Sequence, residues 1–204
     1  MGVSGGPNIV RGENLVLALD VVDKNSYSSG SLIWNNLAGN EVATLNNTNF
    51  SQNTLAFSSS TSRVSVSDQT TLSNFSIELF VKPYTTTTSD DKYLVYSSNL
   101  KIVNYASSSD NYFYFIRQVS NVTASFGDSN LYGYTGIKAQ IDYGIFSHIV
   151  FSHNSTTGQF KTYKNGILVR TVDGFYNNNT MSSTGYGSLI GQDPIFIIGN
   201  NITT

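Results

Sequence analysis

The 204-residue chain contains no cysteine. No disulfide framework can hold it together, so its stability rests on a buried apolar core, which a chain of this length is able to form. The absence says little about compartment, because a large β core needs no disulfides. Charge is scarce too: Asp, Glu, Lys and Arg make up 12% of the residues, against about 25% in an average globular domain. Net charge is −2 and Lys and Arg are nowhere clustered. Without a basic stripe to neutralise phosphates, nucleic acid is excluded as a partner. No apolar run reaches the ~18 residues that a membrane-spanning helix requires. The opening MGVSGGPNIVRGEN has neither a basic start nor an apolar stretch, and is not expected to be a secretion signal.

Ser, Thr and Asn take the place of charge, supplying about a third of the chain. Their hydroxyls and amides keep a surface wet without strong fields, and they suit strands and turns better than helices. Apolar residues are 39%, with 13 Tyr and 12 Phe, enough to fill a two-layer core. The pattern is period two. In Phe75–Lys82, the residues Phe75, Ile77, Leu79 and Val81 point one way, and Ser76, Glu78 and Lys82 the other. Pro83 ends that strand, since it cannot donate to a ladder.

Phe146–Val169 (FSHIVFSHNSTTGQFKTYKNGILV) reads as strand, polar turn, strand, Asn-Gly turn, strand. Phe146, His148 and Val150 fall on one face, Ile149 and Phe151 on the other, and Asn165-Gly166 suits a two-residue hairpin turn. Further strands are expected at Asn14–Val22 (Leu15, Leu17 and Leu19 on one face), Thr54–Phe57, Arg63–Val66, Tyr93–Tyr96, Leu100–Tyr105, Tyr112–Gln118, Val122–Phe126 and Ile195–Ile198. Asp23–Asn53, with the single Trp34, reads as loop-rich. No ten-residue window carries a capped 3.6-residue period, so very little helix is expected. Short strands spaced by Gly, Ser and Asn turns predict an all-β, antiparallel two-sheet sandwich of jelly-roll type. Residues 1–13 form an extended N-terminal arm and 14–204 a single β domain.

Three segments together resemble a known family. Leu15–Asn40 places Asp20, Lys24, Ser26-Tyr27, Gly30, Trp34, Asn36-Leu37 and Gly39-Asn40 in the order seen at the start of concanavalin A-like (laminin G-like) jelly-roll domains of tailed-bacteriophage structural proteins, cyanophage-type ones above all. Ser4–Val10 is similar to the arm before such domains. Phe75–Pro83 resembles the family's long inner strand, Tyr163-Lys164-Asn165-Gly166 its hairpin turn, and Ile197-Ile198-Gly199 a strand that follows. The resemblance implies a virion structural protein on the particle exterior, assembled in the host cytoplasm, as a capsid decoration or a fibre or tail-appendage module. Its partners would be other virion proteins, in a symmetric oligomer. Family members continue past the Ile-Gly segment with a strand returning beside the first one. The edge beside Asn14–Val22 is therefore expected to be filled by the arm, a symmetry mate, another virion protein or another segment of this chain.

The same family includes glucanases, whose retaining mechanism needs two carboxylates about 5–5.5 Å apart. Glu13, Glu41 and Glu78 are the only glutamates, and none lies in such a pattern. No catalytic residue is assigned, and Glu78 reads as a solvent-facing strand carboxylate. His148 and His153, five apart on one strand, face opposite ways, and no Gly-x-Ser-x-Gly elbow occurs. His148 reads as packing between Phe146 and Val150. No metal or cofactor is assigned. A structural calcium ion would draw on Asp20, Asp23, Asp90, Asp91, Asp110 or Asp128, for which solvated loops are the plainer reading.

Contacts with surface polysaccharide or with a protein partner call for flat rings beside amides and hydroxyls. Tyr112, Tyr114, Tyr132, Tyr134, Tyr176 and Tyr186, with Asn177 and Asn178, are the candidates. Pro7, Asn8, Ile9, Val10 and Arg11 are the candidate docking arm. Trp34 reads as a buried anchor for the loop around it.

Overall fold

The computed structural model describes residues 15–51, 53–59, 61–66, 74–83, 92–96, 100–106, 111–117, 138–140, 142–154, 156–157, 159–173, 176–177, 180–181 and 196–199. All regular structure among them is strand. In chain order the strands are β1 (Ile33–Asn35), β2 (Val42–Asn46), β3 (Asn49–Ser51), β4 (Thr54–Ala56), β5 (Arg63–Val66), β6 (Phe75–Val81), β7 (Lys92–Tyr96) and β8 (Leu100–Ala106). They continue with β9 (Asn111–Arg117), β10 (Lys138–Gln140), β11 (Ser147–Asn154), β12 (Gln159–Lys164), β13 (Ile167–Asp173), β14 (Tyr176–Asn177), β15 (Thr180–Met181) and β16 (Phe196–Gly199).

Two antiparallel sheets form the body. The larger has eight strands in the order β1-β2-β5-β16-β7-β8-β9-β10, the smaller four in the order β13-β12-β11-β6. Alternation decides which side chains meet between them. Ala43 and Leu45 on β2, Val64 and Val66 on β5, Val95 on β7 and Ile102 on β8 face Phe75 on β6 and Ile149 and Phe151 on β11, in one cluster. Ile77, Leu79 and Val81 pack against it, as the period-two reading of Phe75–Lys82 predicts. The expected sandwich is what forms.

β16 lies inside the large sheet. Phe196 to Gly199 pair with Val66 to Arg63 of β5, while Ile197 and Ile198 pair with Tyr96 and Val95 of β7. This late segment therefore joins β5 and β7 within the large sheet.

Two expectations fail. Leu15–Asp20 forms no ladder, although Leu17, Leu19 and Val21 pack against the core as alternation requires. Asn36 takes up its backbone groups instead: Ala18 N–H donates to Asn36 Oδ1 (2.8 Å) and Asn36 Nδ2 donates to Val16 O (2.9 Å). Leu37 N–H then donates to Ala18 O (2.9 Å). The sheet edge expected beside Asn14–Val22 does not arise, because that segment is not a sheet strand. The second failure is Asp23–Asn53, read as loop, which holds β1, β2 and β3. The expected strand Val122–Phe126 and the arm 1–13 lie outside the described residues.

Trp34 is buried in β1, edge-on to Tyr27 with ring centroids 6.4 Å apart, and anchors the loop around it as expected. At the other end of the domain, Lys164 Nζ reaches Asp142 Oδ2 (2.7 Å) and Gln140 O (2.8 Å). Gly144 N–H donates to Pro83 O (2.8 Å). The turn between β10 and β11 is thereby tied to both β12 and the end of β6.

Candidate functional site

The four-stranded sheet has one face on the core and one on solvent, and the solvent face carries the most distinctive described side chains. On β6 the outward residues are Ser76, Glu78 and Phe80, all exposed. Register sets their neighbours on β11: Ser152 opposite Ser76, Val150 opposite Glu78 and His148 opposite Phe80. Diagonal neighbours on a twisted sheet remain within reach of long or aromatic side chains. Two such diagonals form here.

His148 Nε2 lies 2.8 Å from Glu78 Oε1. One step along, the rings of Phe80 and Phe146 stack with centroids 5.0 Å apart and planes 1° from parallel. Lys82 Nζ stands over the Phe146 ring, 5.7 Å from its centroid, at a separation where a cation still feels the ring quadrupole. Phe80 is 70% exposed and Phe146 38%. The face extends across the sheet, because Val150 pairs with Tyr163 on β12 and Tyr163 with Leu168 on β13. Leu168 is exposed. A solvated antiparallel face is ordinarily polar; this one is studded with large apolar groups.

His148 is therefore not the packing residue expected between Phe146 and Val150. Its ring is a hydrogen-bond partner of the Glu78 carboxylate, a contact across the sheet that the local sequence does not reveal. Glu78 does face solvent, its side chain 71% exposed. His153, four strand positions past Ile149, is buried with its ring 5.4 Å from Phe75, so the two histidines do lie on opposite faces.

Outside this face three described carboxylates serve turns and loops. Asp20 Oδ1 accepts from Val22 N–H and Asp23 Oδ1 from Asn25 N–H, both at 2.8 Å. Glu41 Oε2 accepts from Asn36 Nδ2 at 2.8 Å. A hydrogen bond to the Glu41 backbone and this amide bond hold the Glu41 carboxyl below the usual carboxylate range. Burial pushes the Tyr143 hydroxyl up. Among the described residues no three His, Asp or Glu side chains gather where they could share a metal ion.

Of the residues singled out from sequence as contacts or docking arm, four lie among the described residues. Tyr112 and Tyr114 lie on β9, in register with Gln140 and Lys138 of β10. Tyr176 and Asn177 form β14, paired with Met181 and Thr180. Tyr132, Tyr134, Asn178, Tyr186 and Pro7–Arg11 lie outside the described residues. Sequence reasoning missed Phe80 and Phe146 as a surface feature. The available signal was Phe80 itself, an aromatic on the polar side of a strand whose other side is all apolar.

An antiparallel two-layer β-sandwich with one solvated, aromatic-bearing sheet face is the class of protein defined here. The family model described as the concanavalin A-like lectin/glucanases superfamily matches residues 57–201, and the chain belongs to that family. Two solved structures are similar in fold. Domain 4 of AbnA, a GH43 extracellular arabinanase from Geobacillus stearothermophilus solved with arabinotriose, is 17% identical, with a TM-score of 0.48 over 81% of this chain and 76% of that one. The winged bean acidic lectin solved with methyl-α-D-galactose is 8% identical, with a TM-score of 0.38 over 88% of this chain and 89% of that one. No curated protein sequence matches the chain.

Proposed function

We propose that this domain is a non-enzymatic structural module of a bacteriophage virion, placed on the particle exterior as a capsid decoration or part of a fibre or tail appendage. It acts through contacts with other virion proteins. The observation that carries the reading is the solvent face of the four-stranded sheet. It exposes Phe80, Phe146 and Leu168, a concentration of apolar surface suited to a protein contact. The low charge of the chain supports contact by shape over long-range steering. The order of the Leu15–Asn40, Phe75–Pro83 and Phe146–Val169 segments supports the virion context.

The non-enzymatic part rests on the neighbours of the carboxylates. Glu78 meets a histidine and Glu41 an asparagine, whereas glycoside hydrolysis needs a second carboxyl group across the scissile bond. Purified phage particles test the proposal. The chain should be present in a copy number matching a symmetry of the particle, and its density should lie on the outer surface. Its absence from particles would overturn the virion reading, and release of reducing ends from β-glucan would overturn the non-enzymatic one.

A second reading is a carbohydrate-binding module for host surface glycans, favoured by the flat Phe80–Phe146 stack beside the polar groups of Glu78, His148 and Lys82. A glycan array separates the two. Binding that is lost in Phe80→Ala would favour the second reading, and binding lost only in Tyr112→Ala or Tyr176→Ala would move the sugar site to those tyrosines.

A further inference from the structure

The outward residues of β6, continued by the residue just past its end, run Glu78, Phe80, Lys82: a negative group, an aromatic ring and a positive group at two-residue spacing. On a strand that spacing is about 6.7 Å, so the two charges stand roughly 13 Å apart with the ring midway. A pattern of this kind is its own complement. Consider a two-fold axis lying between two such faces, perpendicular to β6 and passing over Phe80. It reverses the strand, so that Glu78 of one copy meets Lys82 of the other and Phe80 meets Phe80.

The adjacent strand obeys the same operation. Val150 lies beside Glu78, and Phe146 lies one step past the Ser147–Val81 pair, beside Lys82. The axis that pairs the charges therefore also lays Val150 on the partner's Phe146, apolar on apolar, with His148 near the axis beside its own Glu78. One symmetry operation satisfies both the charges and the apolar groups, which is the condition for an isologous interface. A chance scatter of exposed apolar residues would not do so. Sheets stacked face to face keep their strands within about 30° of each other, so sheet twist leaves this correspondence intact at the centre.

We infer that the solvent face of the four-stranded sheet is a homodimer interface, in which a second copy of this chain packs face to face about a two-fold axis at Phe80. The inference rests on the reading of the domain as a protein-contact module and needs nothing of the virion context.

Sedimentation of the full chain across a wide concentration range, with charge reversals at the two ends of the pattern, tests it. The wild-type chain should move from monomer to dimer as concentration rises. Glu78→Lys alone or Lys82→Glu alone sets like charges against each other and should weaken dimerisation by roughly tenfold or more. The double variant Glu78→Lys/Lys82→Glu restores opposite charges across the axis and should recover most of the dimer. Trp34 fluorescence checks folding, and because both positions are exposed, all variants should keep the native spectrum. A wild-type chain that stays monomeric overturns the inference, as does a dimer indifferent to both single reversals. A monomer that is still found on purified particles defeats this interface while leaving the contact-module reading intact. Glycan binding by a monomer, lost in Phe80→Ala, makes the face a sugar site and likewise overturns it.

Discussion

Asn36 stands in for a neighbouring strand at Ala18. Its Oδ1 accepts the Ala18 N–H at 2.8 Å, its Nδ2 donates to Val16 O at 2.9 Å, and the Ala18 carbonyl accepts from Leu37 N–H at 2.9 Å. Asn36 and Ala18 are both buried, so removing the amide strands backbone groups away from water, at about 1–3 kcal/mol for each group left unpaired. Asn36→Ala should therefore lower the unfolding free energy by roughly 2–4 kcal/mol. Denaturant titration followed by the fluorescence of Trp34, the only tryptophan, measures the change directly. A loss within experimental error would mean that apolar packing of Leu17 and Leu19 alone holds the segment.

The same asparagine links stability to pH through Glu41. The Glu41 carboxyl is held below its usual range first by the hydrogen bond to its own backbone and then by the Asn36 amide. The unfolded chain, in which the carboxyl has its ordinary affinity for protons, takes one up at a higher pH than the folded chain does. The contribution is thus fully present above the ordinary value of 4.5 and is lost as pH falls below it. Glu41→Gln removes that contribution, so it should lower stability slightly at neutral pH, where the carboxylate is charged, and flatten that part of the acid-unfolding curve. Gly39→Ala should act in the same direction, because an added Cβ displaces the Glu41 carboxylate from Asn36. Thermal unfolding at several acidic pH values compares the three proteins.

Phe151 and Phe80 test the two faces of one sheet. Phe151 on β11 is fully buried among the residues of both sheets, while Phe80 is 70% exposed on the solvent side. Phe151→Ala should cost about 3–5 kcal/mol, as large-to-small changes in packed cores do. Phe80→Ala should cost less than about 1 kcal/mol, since only its stack on Phe146 is lost. Denaturation midpoints of the two variants give the ratio. Equal costs would mean that the outer face is covered in solution by something that Phe80 packs against.

The elements that sequence alone reveals are those in which alternation and turn chemistry agree. β5, β6 and the β11–β13 hairpins are of this kind, and Asn165 and Gly166 take the positive φ values (50° and 79°) that their turn requires. Leu15, Leu17 and Leu19 alternate equally well without entering a ladder, because the residues between them, Val16 and Ala18, bond to a side chain about twenty residues on. β1 and β2 hide in a stretch rich in Asn, Ser and Gly, where three to five residues leave too few apolar positions for a period to show. The site was harder still. Glu78 and His148 are seventy residues apart, and only the register of β6 on β11 brings them to one diagonal. A register is a property of the whole sheet, so neither residue announces its partner locally.

Lys164 ties the smaller sheet to the turn beyond β10. Its ammonium contacts Asp142 Oδ2 at 2.7 Å and Gln140 O at 2.8 Å, and its side chain is only 15% exposed. The pair is sheltered only at its ammonium end, because the Asp142 side chain is 45% exposed, so removing the lysine leaves a carboxylate that water still reaches. Lys164→Met keeps the length of the side chain but leaves the Gln140 carbonyl and the Asp142 carboxylate unpaired. It should cost about 1 kcal/mol. Asp142→Asn keeps a neutral acceptor for the same ammonium and should cost less. Hydrogen exchange adds the spatial readout. Because Gly144 N–H donates to Pro83 O, loosening this turn in Lys164→Met should speed exchange at Gly144 more than at Phe151 in the middle of β11. Uniform acceleration of both amides would instead mean that Lys164 supports the whole sandwich and has no special hold on the turn.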